Sequence, residues 1–395
     1  RIQPHDGYYG LAVVNIFTMI STVITPCLIN WMRSKWISFI GILLATLYSI
    51  SFQVIDRWIF FVACAVFGIG LSMYNVGFEG FLLEISTIKT LDRNHSISGT
   101  IACVAVFLSG IIYILITILF NEEGVDTDYR SYSELEIKHF YEIFTLICGF
   151  SMCVFAFLPN KEIAGNIASL DESRKTFIGQ IGAMAKILVN IKILKLVPFF
   201  LYISLFDTLW VTVIPTTLHY TNALSDYIYL TAYFSMSFAM GSFSMSFLTL
   251  KFSERFEDFA MRPLMIFTAI VQLIIYILIV LMIPKNSSVE PNSDPSLLIQ
   301  PSLFPLLGLA ALFGVAETAN NTTRTMLCAR LIPNKKHQVF GAARFYSSLA
   351  ASFIFFASPH INIYIYSVIL LFFLILAMIS FLYTSVRVKK YERTI

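Results

Sequence analysis

Five of the charged side chains that stand inside otherwise apolar stretches of the sequence are of special interest. They are the acids Glu79, Asp207 and Glu317 and the bases Arg324 and Arg344. If these stretches cross a membrane, an ionised carboxylate near the bilayer centre costs roughly 3 kcal/mol, so it normally faces a partner or a wet cavity. The five residues are therefore the first candidates for a functional site.

Two hypotheses account for these charges. In the first, the acids form a titratable cluster in a central cavity that binds a proton or a cation. Asp207 is its main candidate, because no basic residue is near it in the sequence. In the second, Glu79 and Glu317 pair with Arg324, Arg344 or lysines and lock the cytoplasmic gate. We prefer this structural role for Glu79, and both hypotheses stay open for Glu317.

Eleven apolar stretches of about 19 to 26 residues would carry these charges. They are residues 7–31, 36–54, 58–83, 97–120, 140–158, 196–220, 227–250, 263–283, 302–325, 339–359 and 361–383. Each can cross a bilayer as a helix, which satisfies its own backbone hydrogen bonds in lipid. With 57% hydrophobic and 13% charged residues and a mean hydropathy of +0.76, the chain is predicted to be an all-α polytopic membrane protein.

Basic residues gather in alternate loops. The loops around Arg33, Lys89, Lys186 and Arg255, together with the C-terminal tail, fall on one side and contain most of the lysines and arginines. The positive-inside rule makes this side cytoplasmic. We therefore expect a multi-pass protein of the plasma membrane or an endomembrane with a cytoplasmic C-terminus. Its surroundings are the lipid bilayer, and the net charge of +3 gives no reason to expect a nucleic acid partner.

The longest loop divides the chain. We predict an N-terminal helical half at residues 1–158, a cytoplasmic linker at 159–195, a C-terminal helical half at 196–384 and a basic cytoplasmic tail at 385–395. The second part of the linker mixes apolar and basic residues, which predicts an amphipathic segment on the inner membrane surface. Its lysines could attract anionic lipid, although the ordinary orientation signal is the preferred explanation.

A short internal repeat relates the two halves. Residues 67–70 with Asn75 match residues 313–316 with Asn321 at a constant offset of 246 residues, since 313 − 67 = 246. Five stretches before the linker and six after it suggest that the first of twelve helices is missing. The repeats then become the fourth and tenth helices, which are equivalent in the two halves of the major facilitator superfamily fold. We expect this fold, with eleven visible helices of twelve.

In that fold, substrate sites lie near the membrane midplane between the halves. The fourth, seventh and tenth helices line this cavity, and each carries one of the acids. The candidate residues for the cavity or for coupling are Asp207, Glu317, Glu79, Asn75 and Asn321, and the candidate gate or structural charge partners are Arg324 and Arg344.

Other chemistry has little support in the sequence. It contains no nucleophile–base pair, phosphate-binding glycine loop or metal-ligand spacing, so we expect no catalytic residue, no metal site and no cofactor. The segment Asn286-Ser287-Ser288 matches a glycosylation acceptor and falls in a predicted outer loop. Asn286 is therefore the expected glycosylation site.

Several stretches resemble the uncoordinated-93 family of ion channel regulatory proteins, a branch of the major facilitator superfamily, and its nematode members most of all. The similar segments fall at the start of the second helix, in the loop after it, and in the fourth, seventh, tenth and eleventh helices. They are residues 6–11, 34–36, 68–77 with Glu84, 206–210, 314–322 and 340–349. The order and spacing of these segments carry the resemblance, which covers nearly the whole chain.

The resemblance implies an accessory role, because family members regulate two-pore potassium channels in muscle or escort Toll-like receptors between membranes. The chain departs from the superfamily in two places: the acidic, glycine-rich loop after the second helix is reduced to residues 32–35, and Glu317 stands where relatives often have aspartate. We expect a non-enzymatic membrane protein that regulates or escorts a partner such as a two-pore potassium channel. The alternative is a proton- or cation-coupled transporter of a small solute that uses Asp207 and Glu317.

Overall fold

The computed structural model describes residues 5–29, 31–54, 56–87, 90–120, 134–159, 177–225, 227–256, 259–291, 293–332 and 335–392. Across these ranges the chain forms helices and no β-strand. The helices of more than ten residues are α1 Asp6–Leu28, α2 Ser34–Ser51, α3 Arg57–Glu84, α4 Leu91–Phe120, α5 Glu134–Phe157, α6 Phe177–Leu188, α7 Val197–His219, α8 Leu230–Arg255, α9 Arg262–Met282, α10 Leu303–Leu331, α11 Lys336–Ala357 and α12 Ile363–Glu392.

The eleven predicted apolar stretches correspond to the eleven helices other than α6. Helix α6 is an additional short helix, so the labels α1 to α12 are not the numbers of the twelve-helix fold. Ten of the described helices are long and apolar enough to cross a membrane. The remaining predicted span, residues 227–250, is the helix α8, whose many serines lower its hydropathy. It packs between α4 and α10, so its polar side chains meet other helices rather than lipid alone. The predicted fold class, an all-α polytopic membrane protein, is confirmed.

Two helices begin six residues earlier than the apolar stretches that predict them. Helix α4 begins at Leu91 and α5 at Glu134, whereas the corresponding stretches begin at residues 97 and 140. A hydropathy pattern marks the part of a helix that lies in lipid, and a polar first turn can extend beyond it. Helix length is therefore underestimated wherever the first turn is polar.

Capping side chains fix where two of the long helices begin. The carboxylate of Asp56 accepts hydrogen bonds from the backbone N–H groups of Trp58 and Ile59 at the start of α3, at 2.9 and 3.1 Å. The Asn362 side chain accepts from the N–H of Ile365 at the start of α12, at 3.0 Å. Both satisfy donors that the first turn of a helix leaves without a backbone partner.

The long helices form two groups that contact each other through a few pairs. In the first group, α3 packs on α1 and α2, and α2 also packs on α5. In the second, α8 and α9 pack on α10, and α7 packs on α11 and α12. Helix α1 packs on α11, and α4 packs on α8, so these pairs join the groups. The short helix α6 lies against α1 and α11.

The two glycines of the sequence repeat have the same packing in both groups. A Cβ atom built on Gly68 in α3 would lie 2.3 Å from a backbone carbonyl oxygen of α1, and one on Gly314 in α10 would lie 2.0 Å from a carbonyl oxygen of α8. The Thr18 hydroxyl donates to the carbonyl oxygen of Gly68 at 2.9 Å, and the Ser242 hydroxyl donates to that of Gly314 at 3.1 Å. The repeat therefore specifies one type of close helix contact that is used twice.

The glycosylation candidate Asn286 is exposed in the turn after α9. The hydroxyl of Ser288 donates to the backbone carbonyl oxygen of Ile361 at 3.2 Å, which holds this turn against the start of α12. The side chain of Asn286 is therefore accessible, and its modification stays a prediction.

We expect enzymatic removal of N-linked glycans to increase the gel mobility of the full-length protein made in eukaryotic cells, and Asn286→Gln to abolish that shift. Asn94→Gln is the matched control, because Asn94-His95-Ser96 has the same pattern on the predicted cytoplasmic side. A wild-type band that the deglycosylating enzyme leaves unmoved would contradict the prediction.

Candidate functional site in the bundle interior

Helix α7, which carries Asp207, changes its geometry directly after this residue. Residues Val197–Thr208 are α-helical, Leu209–Val213 form a π-helical turn, and the α-helix resumes at Ile214. Pro215 gives a physical reason, because proline has no N–H and its ring clashes with the carbonyl group four residues earlier. The wider turn absorbs this defect. Sequence reasoning missed it, although the proline was a visible signal.

Glu79 forms ion pairs with two arginines from the other group of helices. Arg344 Nη2 in α11 lies 3.1 Å from Glu79 Oε1 in α3, and Arg324 Nη2 in α10 lies 3.9 Å from the same oxygen. Glu79 and Arg324 are buried, with 7% and 4% of their surfaces exposed. One carboxylate therefore connects three helices across the interface between the groups.

Asp207 and Glu317 lie next to each other in the bundle interior, and the charges of Arg324 and Arg344 also act on Asp207. The two carboxyl groups lie within hydrogen-bonding range of each other. Asp207 Oδ1 and Glu317 Oε2 are buried, and neither receives a hydrogen bond from the described part of the chain. Asn321 Nδ2 donates to Glu317 Oε1 one helical turn away. A proton held between the carboxyl groups, or a bound cation, would supply the interaction that these oxygens need.

These five charged residues, Glu79, Asp207, Glu317, Arg324 and Arg344, are called the central charge cluster below. They adjoin a cavity of about 350 Å³ that is lined by residues of α3, α4, α7, α8, α10 and α11. This volume is in the range of small-molecule sites. The candidate residues that line the cavity are Asn75, Glu79, Glu317, Asn321, Arg324 and Arg344. Asp207 is not among the residues that line the cavity, although its neighbour Glu317 is.

Two residues of this cavity were missed by sequence reasoning. His95 in α4 lines it, and the Nδ1 atom of this residue is buried with no hydrogen-bond partner among the described residues. Trp210 stacks on Phe238 with ring centroids 4.1 Å apart. Trp210 follows Asp207 by three positions, a spacing that places both on one side of a helix, and this signal was available. No comparable spacing identifies His95.

The geometry divides the two sequence hypotheses between different residues. Glu79 has the arginine partners that the gate hypothesis requires, and Glu317 has the acidic neighbour that the titratable-cluster hypothesis requires. The first arrangement can hold the two groups of helices together. The second can hold a proton or a cation. The role of each residue stays a proposal.

Several solved structures have a similar arrangement of helices. The chain is similar to the E. coli fucose:proton symporter, with 13% identity, a TM-score of 0.59, and coverage of 96% of this chain and 97% of that one. The proton:xylose symporter has 11% identity and a TM-score of 0.63, with coverage of 96% of this chain and 86% of that one. A nucleoside transporter has 12% identity and a TM-score of 0.55, with coverage of 95% of this chain and 90% of that one. At such low identity the likeness shows the fold alone, and that fold is the major facilitator superfamily fold.

The sequence places the chain within this class. It matches the family model described as ion channel regulatory protein UNC-93 over residues 1–382. The chain therefore belongs to the UNC-93 family, and the resemblance found in the sequence is confirmed. No curated protein sequence gives a significant match. Family and fold together fit an accessory or regulatory membrane protein with several helical spans.

Proposed function

We propose that the protein is a non-enzymatic accessory subunit that regulates or escorts another membrane protein, and that this partner is a two-pore potassium channel. The observation that carries the proposal is the match to the ion channel regulatory family over residues 1–382. Because a shared fold does not fix a function, the structural neighbours that are transporters do not argue against it.

The central charge cluster supports this proposal. A transporter that alternates its access has to separate its two groups of helices on one side, and the Glu79–Arg344 pair connects them. Breaking a buried pair leaves uncompensated charges, which makes such a separation costly. A bundle held closed suits a subunit that presents a fixed surface to a partner.

The shortened loop after α1 supports it as well. Lys35 Nζ donates to the carbonyl oxygens of Ala156 and Leu158 at the end of α5, at 2.9 and 2.5 Å. The Ser34 hydroxyl donates to Glu84 Oε1 at 2.5 Å. These bonds tie the loop to helices of its own group. In the superfamily the longer loop has the gating function, so we infer that residues 32–35 have a static role here.

Co-expression of the full-length protein with candidate two-pore potassium channels tests the proposal. We expect the two proteins to co-purify and the potassium current to differ from that of the channel alone. Co-expression with an unrelated transporter of the major facilitator fold is the control for membrane crowding. Unchanged current together with no co-purification would contradict the proposal.

A coupled transporter is the weaker candidate, because it rests on the Asp207–Glu317 pair and the fold without support from the family. Solute uptake by the reconstituted full-length protein distinguishes the transporter hypothesis from the accessory-subunit proposal. If the protein is an accessory subunit, we expect no uptake that depends on a pH gradient. Gradient-driven uptake that Asp207→Asn abolishes would establish the transporter instead.

A further inference from the structure

A second cavity, separate from the central one, lies at the predicted cytoplasmic end of the bundle. It has a volume of about 260 Å³ and is formed by the segment before α7, the end of α10 and the end of α12. The lining residues are Ile191, Lys192, Lys195, Arg330, Leu331, Tyr383, Thr384 and Arg387. Four of these eight lining residues are basic, and none of the eight is acidic.

An aromatic ring positions two of the cations. The Arg387 guanidinium carbon lies 4.4 Å from the centroid of the Tyr383 ring, and Lys195 Nζ lies 5.2 Å from the same centroid. A cation is attracted to the face of such a ring. Two cations on one ring also repel each other, and an anion bound between them would relieve this repulsion.

A buried hydroxyl group adds an independent sign of a ligand. Thr384 is 6% exposed, and its Oγ1 has no hydrogen-bond partner among the described residues. The next residue differs, because the Ser385 hydroxyl receives a hydrogen bond from Arg262 Nε at 3.0 Å. Leaving a buried polar group without a hydrogen bond costs free energy. A group that has no protein partner therefore usually bonds to a water molecule or a ligand. An anionic oxygen in the cavity would accept the hydrogen bond of Thr384.

The surroundings of the cavity identify the kind of anion. Ile191 and Tyr383, which line the cavity, are 62% and 45% exposed. Exposed apolar side chains at the end of membrane-crossing helices face acyl chains rather than water. We propose that the cavity binds the phosphate group of an anionic phospholipid from the adjacent leaflet, with the acyl chains along this apolar surface. Free phosphate shares the headgroup chemistry but cannot use the apolar contacts.

The test uses the full-length protein in neutral detergent and four probes. These are a short-chain phosphatidylinositol phosphate, phosphatidylcholine of the same chain length, the matching inositol phosphate without chains, and inorganic phosphate. Binding is measured by native mass spectrometry and by ligand-dependent thermal stabilisation. Variants Arg387→Gln and Lys195→Gln remove one charge each from the cavity. Arg255→Gln is the matched control, because Arg255 is exposed at the end of α8 and does not line the cavity.

We expect the anionic lipid to bind, phosphatidylcholine not to bind, and both soluble phosphates to bind at least about tenfold more weakly than the lipid. Loss of one charge-assisted hydrogen bond predicts that each cavity variant weakens lipid binding by roughly tenfold, with the control unchanged. Equal weakening by Arg255→Gln, or tight binding by inorganic phosphate alone, would overturn the proposal. Variants are compared only where their melting midpoints without lipid match that of the wild type, and Thr384→Val replaces any that fails this condition.

Discussion

Glu79→Gln is expected to lower the apparent melting midpoint of the full-length protein by on the order of 5–10 °C. Glutamine keeps the size of the side chain but removes the charge that faces Arg344 and Arg324. Removing one partner of a buried ion pair costs about 3–5 kcal/mol, because the remaining charge stays buried without compensation. Here two arginines lose their carboxylate, and both belong to the other group of helices.

Glu142→Gln is the matched control for this prediction. The Glu142 side chain is 51% exposed and pairs with His139 on the surface of α5 at 2.9 Å. A surface pair contributes at most about 1 kcal/mol, so this variant should melt close to the wild type. Both variants are heated in detergent, and the fraction of protein that stays monodisperse at each temperature gives the melting midpoint. Equal midpoints for Glu79→Gln and Glu142→Gln would show that the interior ion pairs of Glu79 do not stabilise the fold.

The second large effect is expected for Gly314→Ala in α10. The new Cβ atom would lie 2.0 Å from a backbone carbonyl oxygen of α8, and no rotamer change can move that atom. The two helices have to separate, and overpacking of this kind costs typically about 1–3 kcal/mol. We expect a clear drop in melting midpoint and in yield. Gly68→Ala should have a similar effect, because the repeat gives Gly68 the same contact with α1.

Gly308→Ala provides the control within the same helix. A Cβ atom at Gly308 meets nothing within 4 Å, and alanine favours the helical state over glycine by up to about 1 kcal/mol. Its midpoint should equal or slightly exceed that of the wild type. If Gly314→Ala and Gly308→Ala behave alike, the close contact between α8 and α10 is wrong.

The fold could be predicted because the bilayer constrains the sequence strongly. A helix that crosses lipid needs about 20 apolar residues, so the spans are visible as stretches of that length. Helix α8 was predicted as a span as well, although its serines lower its hydropathy, and it packs between α4 and α10. The repeated glycines were visible as well, since both repeats keep the residue that a close contact requires.

The site could be predicted only in part. The sequence identified the acids and arginines, because charges inside apolar stretches are rare. It could not assign partners: Glu79 and Arg344 are 265 positions apart, and their pairing depends on how α11 packs against α3. It also assigned no role to His95, which becomes part of the cavity only through the position of α4. Partners across helices are a property of packing, which periodicity within one helix does not encode.

The coupling free energy between Glu79 and Arg344 tests the central claim most directly, since this claim is that the two groups of helices are joined across the interior by this pair. Reversible unfolding of the wild type, Glu79→Gln, Arg344→Gln and the double variant in mixed micelles gives this energy as a double-mutant cycle. We predict a coupling of about 1–3 kcal/mol, so that the double variant is clearly more stable than the sum of the single losses implies. Additive losses, with a coupling near zero, would contradict the account.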